Sequence, residues 1–385
     1  MTSTHRLEVK NGDIVGALRT LLQEALSKEA VRAVLAPRHL PMKTMVMPAL
    51  VARADQMDGV DPLAPCFPMN AARIASRLAR KPMGVRWAAV LRPCEIRAFV
   101  ELVKLKQART DEVILISVDC LGAFQNQDYI RFAGADPPAA TVEFVRRTLA
   151  GERLQAELAP ACRACEFPVP PQADVHIGIL GAGEGGFLTL EARSAAGREL
   201  VDALGLAPVE APATRQAALD ALAVRRCAYR DEMFSRTLVA IDGIDKAAAY
   251  FANCINCYNC RVACPVCYCK ECVFVTDVFT HEPAQYLEWA GRKGALKMPT
   301  DTLFYHLTRL AHMSTACVGC GQCSNACPNE IPVMEVFRTV ARYTQQAFEY
   351  EAGRNLEEAP PLSVFKESEF PEVVGISRRS AAVGG

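Results

Sequence analysis

Two runs of cysteine in the second half of the chain have the spacing that holds iron–sulfur clusters. The first run reads C-x2-C-x2-C-x3-C and is followed by Pro265; the second repeats this spacing and is followed by Pro328. Three closely spaced thiolates on a tight loop can bind three corners of one [4Fe–4S] cluster, and the fourth cysteine, set back three residues, serves the neighbouring cluster. The pattern predicts two clusters, one held by Cys254, Cys257, Cys260 and Cys327 and the other by Cys317, Cys320, Cys323 and Cys264.

Four further cysteines stand at points where an α/β sheet would gather them. Cys94 and Cys120 each follow a short apolar run with the composition of a buried strand, and Cys162 and Cys165 form a separate C-x2-C pair. Ligands of open α/β sheets bind outside the carboxyl ends of the strands. Four thiolates from three loops would suit a third [4Fe–4S] cluster there. Four separate buried thiols are the alternative, because cysteine also packs well as a small apolar residue.

Three more cysteines, Cys267, Cys269 and Cys272, come directly after the first run. Three thiols within six residues favour metal binding over chance packing, so they could form part of a fourth cluster. The remaining ligand would then come from a distant position such as Cys66 or Cys227. The alternative is that these thiols lie near a cluster without binding it.

A glycine-rich turn follows a short run that contains His176. Its spacing fits G-x-G-x-x-G, but residues 187–190 after it are typical of a strand, whereas a dinucleotide-binding turn opens a helix. We therefore predict a β-hairpin whose glycines permit positive φ or the close approach of a flat ligand. His176 could hydrogen-bond such a cofactor, or it could be a satisfied core histidine. The glycines of the turn are Gly181, Gly183, Gly185 and Gly186.

The elements that must position these residues divide the chain into two folded parts. Apolar runs at 87–91 and 113–118 predict strands, and helical spacing of leucines predicts a helix over 13–36. Strands that alternate with helices indicate an α/β domain, with a mixed sheet and flanking helices. The cluster loops are separated by helical patterns, which indicates a mainly α-helical ferredoxin-like domain. The predicted boundaries are 1–245 for the α/β domain, 246–350 for the ferredoxin-like domain and 351–385 for an extended tail.

Composition narrows the class of protein. The 43 basic and 43 acidic residues balance, so no overall charge would recruit nucleic acid or a membrane surface. The 17 cysteines favour metal or cluster ligands in a reducing cytoplasm over a disulfide framework or a zinc site. We find no apolar signal region and no run long enough to span a bilayer, so we expect a cytoplasmic protein without a membrane span. A nucleophile elbow and a P-loop lysine are also missing, which leaves hydrolase and nucleotide-triphosphatase functions without support.

Together these residues resemble the coenzyme F-420 hydrogenase/dehydrogenase beta subunit family, and in particular its formate dehydrogenase beta subunits. The resemblance is carried by the proline–cysteine turn at 92–95, by residues 119–120 after their strand, and by the C-x2-C pair with 173–175 and the glycines downstream. It spans roughly residues 40–190, with the double cluster module appended at 250–345.

The resemblance implies an α/β domain that binds FAD beside a [4Fe–4S] cluster. In that family pattern Cys94, Cys120, Cys162 and Cys165 would be the ligands of this cluster, and the turn that starts at Gly181 would lie near the flavin. The resemblance also implies an oxidoreductase subunit that relays electrons between a hydride carrier of the F-420 or NAD type and a partner catalytic subunit. That partner would be a formate dehydrogenase, a hydrogenase or a heterodisulfide-reductase-like enzyme, with other electron-transfer subunits in the same complex. The alternative is an electron-wire or adaptor subunit without a substrate site of its own.

Overall fold

The computed structural model describes residues 2–41, 44–152, 154, 157–181 and 186–364, and its first half is built on one seven-stranded sheet. The strands are β1 (Ser3–Glu8), β2 (Val34–His39), β3 (Val46–Val51), β4 (Trp87–Val90), β5 (Val113–Val118), β6 (Val175–Gly178) and β7 (Phe187–Ala192). The helices are α1 (Ile14–Ser27), α2 (Ala72–Leu78), α3 (Pro93–Lys104), α4 (Asn126–Ala133), α5 (Pro137–Leu149), α6 (Pro160–Arg163), α7 (Ala195–Leu204), α8 (Thr214–Ala240), α9 (Ile244–Tyr250), α10 (Asn259–Ala263), α11 (Pro283–Lys293), α12 (Thr302–Met313), α13 (Gln322–Asn325) and α14 (Val333–Ala347). Short 3-10 turns lie at Lys10–Gly12, Ala54–Gln56, Val273–Val275 and Asp277–Phe279.

The middle of the sheet is parallel and its edges are antiparallel. The strand order is β1-β7-β6-β5-β4-β2-β3. Strands β6, β5, β4 and β2 run parallel, whereas β3 pairs antiparallel with β2, and β7 pairs antiparallel with β6 and β1. The carboxyl ends of β4 and β5 therefore meet at one edge of the sheet. The predicted mixed sheet with flanking helices is confirmed.

Alternate residues of the parallel strands point to opposite faces of the sheet, and helices cover both faces. On one face Val34 and Ala88 belong to an apolar core shared with α1, α5 and α7. On the other face Leu35 and Ala89 belong to a core shared with α2 and α3. This second core continues into α12 and α14, so the later helices pack directly on the sheet domain.

Buried polar contacts also join the two parts of the chain. Arg97 of α3 donates a hydrogen bond to the carbonyl oxygen of Ala352 at 3.0 Å. The Tyr350 hydroxyl donates to the carboxylate of Glu101, 2.7 Å from each oxygen, and Lys104 pairs with the same carboxylate at 2.8 Å. Because polar groups are costly to bury without partners, these contacts fix the segment after α14 against α3.

One predicted element is wrong in its extent. The helix expected over 13–36 ends at Ser27, and Val34–His39 is strand β2, with Pro37 inside it. Glu29 has a positive φ of 54°, a conformation that a helix cannot contain, and the chain reverses there. The first three residues of β2 are all buried, as expected of a strand covered on both faces.

The other predicted elements are confirmed. The runs at 87–91 and 113–118 form β4 and β5, and β6 and β7 pair antiparallel as the predicted hairpin. The described segment after α7 contains helices and turns but no strand. None of the helices in the described part of the chain combines the length and apolarity that crossing a bilayer requires. Of the predicted tail, residues 365–385 lie outside the described residues.

Candidate metal centres

The first set of thiols is gathered from both cysteine runs. Burial raises the pKa of Cys254, and the neighbouring thiols of Cys260, Cys327 and Cys257 raise it further. The thiols of Cys260, Cys327 and Cys257 therefore lie close enough to Cys254 to interact with it electrostatically. Cys260 is buried and Cys257 is exposed, so the set lies just beneath the surface. This is the grouping that the spacing predicts for one cluster.

The loop of the first run is wound tightly around its thiols. Asn256 and Tyr258 have positive φ values of 52° and 60°, which non-glycine residues rarely adopt. The Asn256 backbone N–H donates to Cys254 Sγ at 3.5 Å, and its side-chain amide donates to Asp301 at 2.9 Å. Such strain persists where the surroundings over-determine the conformation, often at functional loops. The loop then enters α10, which carries Cys260.

The second set is enclosed more deeply. Burial raises the pKa of Cys323 well above its ordinary value, and the thiols of Cys264, Cys320 and Cys317 raise it further. All four side chains are partly buried. Cys264 comes from the first run, so each run contributes its fourth cysteine to the other set.

Hydrogen-bond donors surround the thiols of the first set. Arg309 donates from Nη1 to Cys260 Sγ at 3.1 Å, and the Tyr305 hydroxyl lies 3.3 Å from the same sulfur. His306 Nε2 is 3.4 Å from Cys254 Sγ. Burial and the charge of Arg309 lower the pKa of His306 to about 3, so its ring is neutral near pH 7. Donors and cations near sulfur favour the thiolate, which is the form that binds metal.

The third set lies at the carboxyl edge of the sheet. Cys94 is in the first turn of α3, directly after β4, and Cys120 follows β5. Burial raises the pKa of Cys94, and the thiols of Cys120 and Cys165 are among the groups that raise it further. Burial also raises the pKa of Cys162 to about 11, again with Cys120 and Cys165 as neighbours. The structure thus brings together four cysteines from three separate loops.

Buried polar groups hold the loops of the third set in place. Glu95 accepts hydrogen bonds from the backbone N–H of Arg92 at 2.8 Å and of Ala71 at 2.6 Å. The Arg92 guanidinium donates to the carbonyl oxygens of Ala64 and Cys66 at 2.6 and 2.9 Å. Its charge interacts with three thiols of the third set. A partly buried cation in this position offsets the charge of ionised sulfurs.

The third set lies beside the second set. Among the charged groups that act on Cys94, the Cys320 thiol of the second set has the largest effect on its pKa after burial. The two loops meet at Gly321, where an added Cβ would lie 2.4 Å from the Cβ of Ala161. The second set in turn meets the first, since Cys260 acts on Cys264. The sets therefore follow one another in the order third, second, first.

The cysteines after the first run have dissimilar surroundings. Burial raises the pKa of Cys267 to about 11, and Cys264 raises it further, whereas Cys269 is exposed and Cys272 is partly buried. Cys66 lies apart from them in the core of the sheet domain. Among the described side chains, the three thiol sets included, no three histidine, cysteine, aspartate or glutamate residues are close enough to hold a single metal ion. A [4Fe–4S] cluster is larger than one ion, so its ligands can stand farther apart. A metal role for these three cysteines stays a prediction.

The first glycine of the turn, Gly181, packs against protein. A Cβ at Gly181 would lie 2.6 Å from the Cα of Arg215 at the start of α8. Gly181 and Gly186 both have positive φ, as the hairpin requires. Gly183 and Gly185 lie outside the described residues. The packing of α8 therefore accounts for Gly181, whereas a Cβ at Gly186 would have no neighbour closer than 4.0 Å.

His176 belongs to a buried polar network beneath this turn. Its Nε2 lies 2.8 Å from Asp119 Oδ1, and its side chain is fully buried. Arg215 donates to the same carboxylate at 2.7 and 3.1 Å. Although burial works to raise it, these hydrogen bonds hold the pKa of Asp119 well below its ordinary value. Contact of His176 with a cofactor stays a prediction, and the structure gives the ring a structural partner.

Sequence reasoning missed three side chains of these sites. Arg309 and Arg215 contact residues that are distant in sequence, whereas Glu95 has one nearby partner, Arg92. The capping signal of an acidic residue in the first turn of a helix could have found Glu95. No motif marks the two arginines.

The fold and the thiol sets define the class of this protein, which is a mixed-sheet domain joined to a ferredoxin-type iron–sulfur region. The model of the 4Fe-4S binding domain family matches residues 312–333, which contain the second cysteine run. The model of the C-terminal region of the coenzyme F420 hydrogenase/dehydrogenase beta subunit family matches residues 85–209. That stretch contains all four cysteines of the third set. The predicted resemblance to this family is confirmed.

Relatives of known name are similar over nearly the whole chain. The F420-dependent formate dehydrogenase subunit beta of Methanocaldococcus jannaschii is 26% identical, over 92% of this chain and 95% of the relative. The F420-dependent formate dehydrogenase 1 subunit beta of Methanococcus maripaludis is 24% identical, over 92% and 94%. A chain of the F420-reducing [NiFe] hydrogenase complex from Methanosarcina barkeri shares 14% identity with a TM-score of 0.44, over 63% of this chain and 94% of that chain. The two curated relatives are oxidoreductase subunits, which confirms the predicted class.

Proposed function

We propose that this chain is an iron–sulfur electron-transfer subunit of a cytoplasmic oxidoreductase complex. It would relay electrons between a hydride carrier at FAD and a partner catalytic subunit. The observation that carries the proposal is the order of the three thiol sets, each of which meets the next. Electron transfer weakens steeply with distance, so adjacent sets suit a relay that begins at the sheet edge and ends near the exposed Cys257.

The three sets are the proposed ligands of three [4Fe–4S] clusters. When bound, such clusters exchange single electrons at potentials set by the hydrogen bonds and solvent around their sulfurs. The protein's part is to bury the thiols, to supply donors such as Arg309 and Tyr305, and to keep the loops fixed. The proposed division at 1–245, 246–350 and 351–385 assigns the third set to the α/β domain and the other two sets to the helical domain. The proposed ligands are Cys94, Cys120, Cys162 and Cys165; Cys317, Cys320, Cys323 and Cys264; and Cys254, Cys257, Cys260 and Cys327, with Cys267, Cys269 and Cys272 as candidates for a fourth cluster.

The names of the relatives support a particular carrier and partner. Both curated relatives are named F420-dependent formate dehydrogenase subunits, so we propose F420 as the carrier and a formate dehydrogenase as the partner. A carrier of the NAD type, and a hydrogenase or heterodisulfide-reductase-like partner, are the alternatives. FAD would supply the conversion between a hydride and single electrons.

A second candidate function is that of an electron wire or adaptor without a substrate site. The observation that favours it is the glycine turn, because Gly181 is filled by Arg215 rather than open to a flat ligand. In that case the chain would carry clusters and bind partner subunits, but it would neither hold a flavin nor react with F420 or NADH.

The deciding experiment is cofactor analysis of the full chain, expressed and purified without oxygen. Three clusters predict roughly twelve iron and twelve sulfide per chain, and a fourth cluster would raise each count to roughly sixteen. Flavin released by denaturation is measured on the same sample. Reduced F420 and NADH are then added in turn, and the visible absorbance of the clusters is followed.

The outcomes separate the two functions. Flavin together with bleaching of the clusters by reduced F420 supports the relay. Clusters without flavin, and without bleaching by either carrier, support the adaptor. Zinc in place of iron would overturn both.

A further inference from the structure

Arg309 is an arginine buried between two of the proposed clusters. It lies on α12 and is 3% exposed. Its Nη1 donates to Cys260 Sγ at 3.1 Å, and its Nη2 donates to the carbonyl oxygen of the same residue at 3.2 Å. The two terminal nitrogens of the guanidinium thus bind the sulfur and the backbone carbonyl of the same residue, Cys260.

The guanidinium of Arg309 is surrounded by thiols and aromatic rings rather than by carboxylates. The groups that act on this charge are the thiols of Cys260, Cys264 and Cys323 and the hydroxyl of Tyr305. Of these thiols the first belongs to the first set and the other two belong to the second. The rings of Tyr305 and Phe337 lie 5.5 and 4.6 Å from the guanidinium carbon. Within the described chain, no aspartate or glutamate forms an ion pair with this arginine.

One donor of Arg309 has no acceptor. Its Nε–H is buried and makes no hydrogen bond to any described residue. Buried donors without partners are rare and call for an explanation, such as an ion or group that binds there.

Arg338 is an instructive contrast. It also lies close to thiols, since its charge acts on Cys317 of the second set and Cys165 of the third. However, Arg338 forms an ion pair with the carboxylate of Glu166, which offsets its charge. Arg309 therefore differs from Arg338 in that no described carboxylate offsets its charge, while its guanidinium donates directly to a sulfur.

We propose that Arg309 is a positioning residue that raises the reduction potentials of the first and second clusters together. This inference rests on the proposed function. Reduction adds one electron to a cluster, and a fixed positive charge nearby stabilises the added negative charge. The effect is strong because the guanidinium is buried, where charges are poorly screened. An arginine stays protonated throughout, so no proton accompanies the electron.

The test is a redox titration of the full chain and its variants, followed by electron paramagnetic resonance. In Arg309→Gln we expect the potentials of two of the three clusters to shift to more negative values, with the third cluster unchanged. Arg309→Lys keeps the charge but cannot make the two-armed contact, so it should give a smaller shift in the same direction. Arg292→Gln removes an exposed arginine from α11 and should leave all three potentials unchanged.

Iron content separates the failure of this inference from the failure of the proposed function. A wild-type chain without iron–sulfur clusters would overturn the proposed function. A clustered Arg309→Gln variant with wild-type potentials would overturn the role of Arg309 and leave the relay intact. If Arg309→Gln loses iron, Arg309→Met is measured instead, because it keeps most of the length of the side chain without its charge, and wild-type potentials in that variant would overturn the role. Equal shifts in Arg309→Gln and Arg292→Gln would also overturn it, because total charge would then explain them.

Discussion

Removal of the Asp119 charge should loosen the sheet edge that carries the third thiol set. Asp119 is fully buried between β5 and Cys120, and its carboxylate accepts from His176, from both arms of Arg215 and from the backbone N–H groups at 179 and 180. In Asp119→Asn the amide keeps one acceptor oxygen, but the negative charge is lost. Arg215, itself only 6% exposed, then keeps its charge without its main partner.

The loss in free energy of unfolding depends on the charged partners that Arg215 keeps in the variant. Loss of one partner of a buried ion pair costs about 3–5 kcal/mol. Glu191 lies 3.5 Å from Arg215 Nε and still offsets part of the charge. We therefore expect Asp119→Asn to lower the free energy of unfolding by about 3 kcal/mol, the low end of that range. The double variant with Arg215→Gln should lose less than the sum of the single variants, because no unpaired charge is left.

The assay is anaerobic urea unfolding, followed by far-ultraviolet circular dichroism, with iron measured on each sample. Asp55→Asn is the matched control, since Asp55 pairs with Arg53 on the surface and both side chains are more than half exposed. Its unfolding should match that of the wild type. The reasoning is refuted if Asp119→Asn unfolds at the same urea concentration as Asp55→Asn.

Three further predictions concern single side chains. Cys120→Ser should remove roughly four iron atoms per chain, the content of one cluster. Ser235→Ala, at an exposed position of α8, should remove none, and equal losses would contradict the third set. Tyr350→Phe should lower the free energy of unfolding by about 1–2 kcal/mol, because a buried carboxylate on α3 loses a donor. Tyr343→Phe, at a half-exposed ring, is its control and should have no such effect. Burial lowers the pKa of His176 in the folded chain, so the unfolded chain binds a proton at this residue more readily. The free energy of unfolding should therefore fall as the pH drops from 7 through the ordinary histidine pKa of about 6.5. His176→Gln should flatten this dependence in urea unfolding between pH 7 and 5, and an unchanged slope would show that another group titrates.

The sequence predicted those secondary-structure elements whose residue pattern is local. The strand at 113–118 was predictable because six apolar residues in a row suit a strand buried on both faces. The hairpin was predictable because a strand pattern, not a helix, follows the glycines. The helix over 13–36 was extended too far, because leucine spacing does not reveal the reversal at Glu29.

The candidate ligands and their proposed grouping within each run come from the sequence alone, because the spacing of thiols on one loop is a local property. Only the tertiary structure decided the order of the three sets and the partners that surround them. Asp119 and Arg215 are 96 residues apart, and Arg309 and Cys260 are 49 residues apart. Contacts over such separations depend on how the sheet edge and the later helices pack, and no local pattern records that packing.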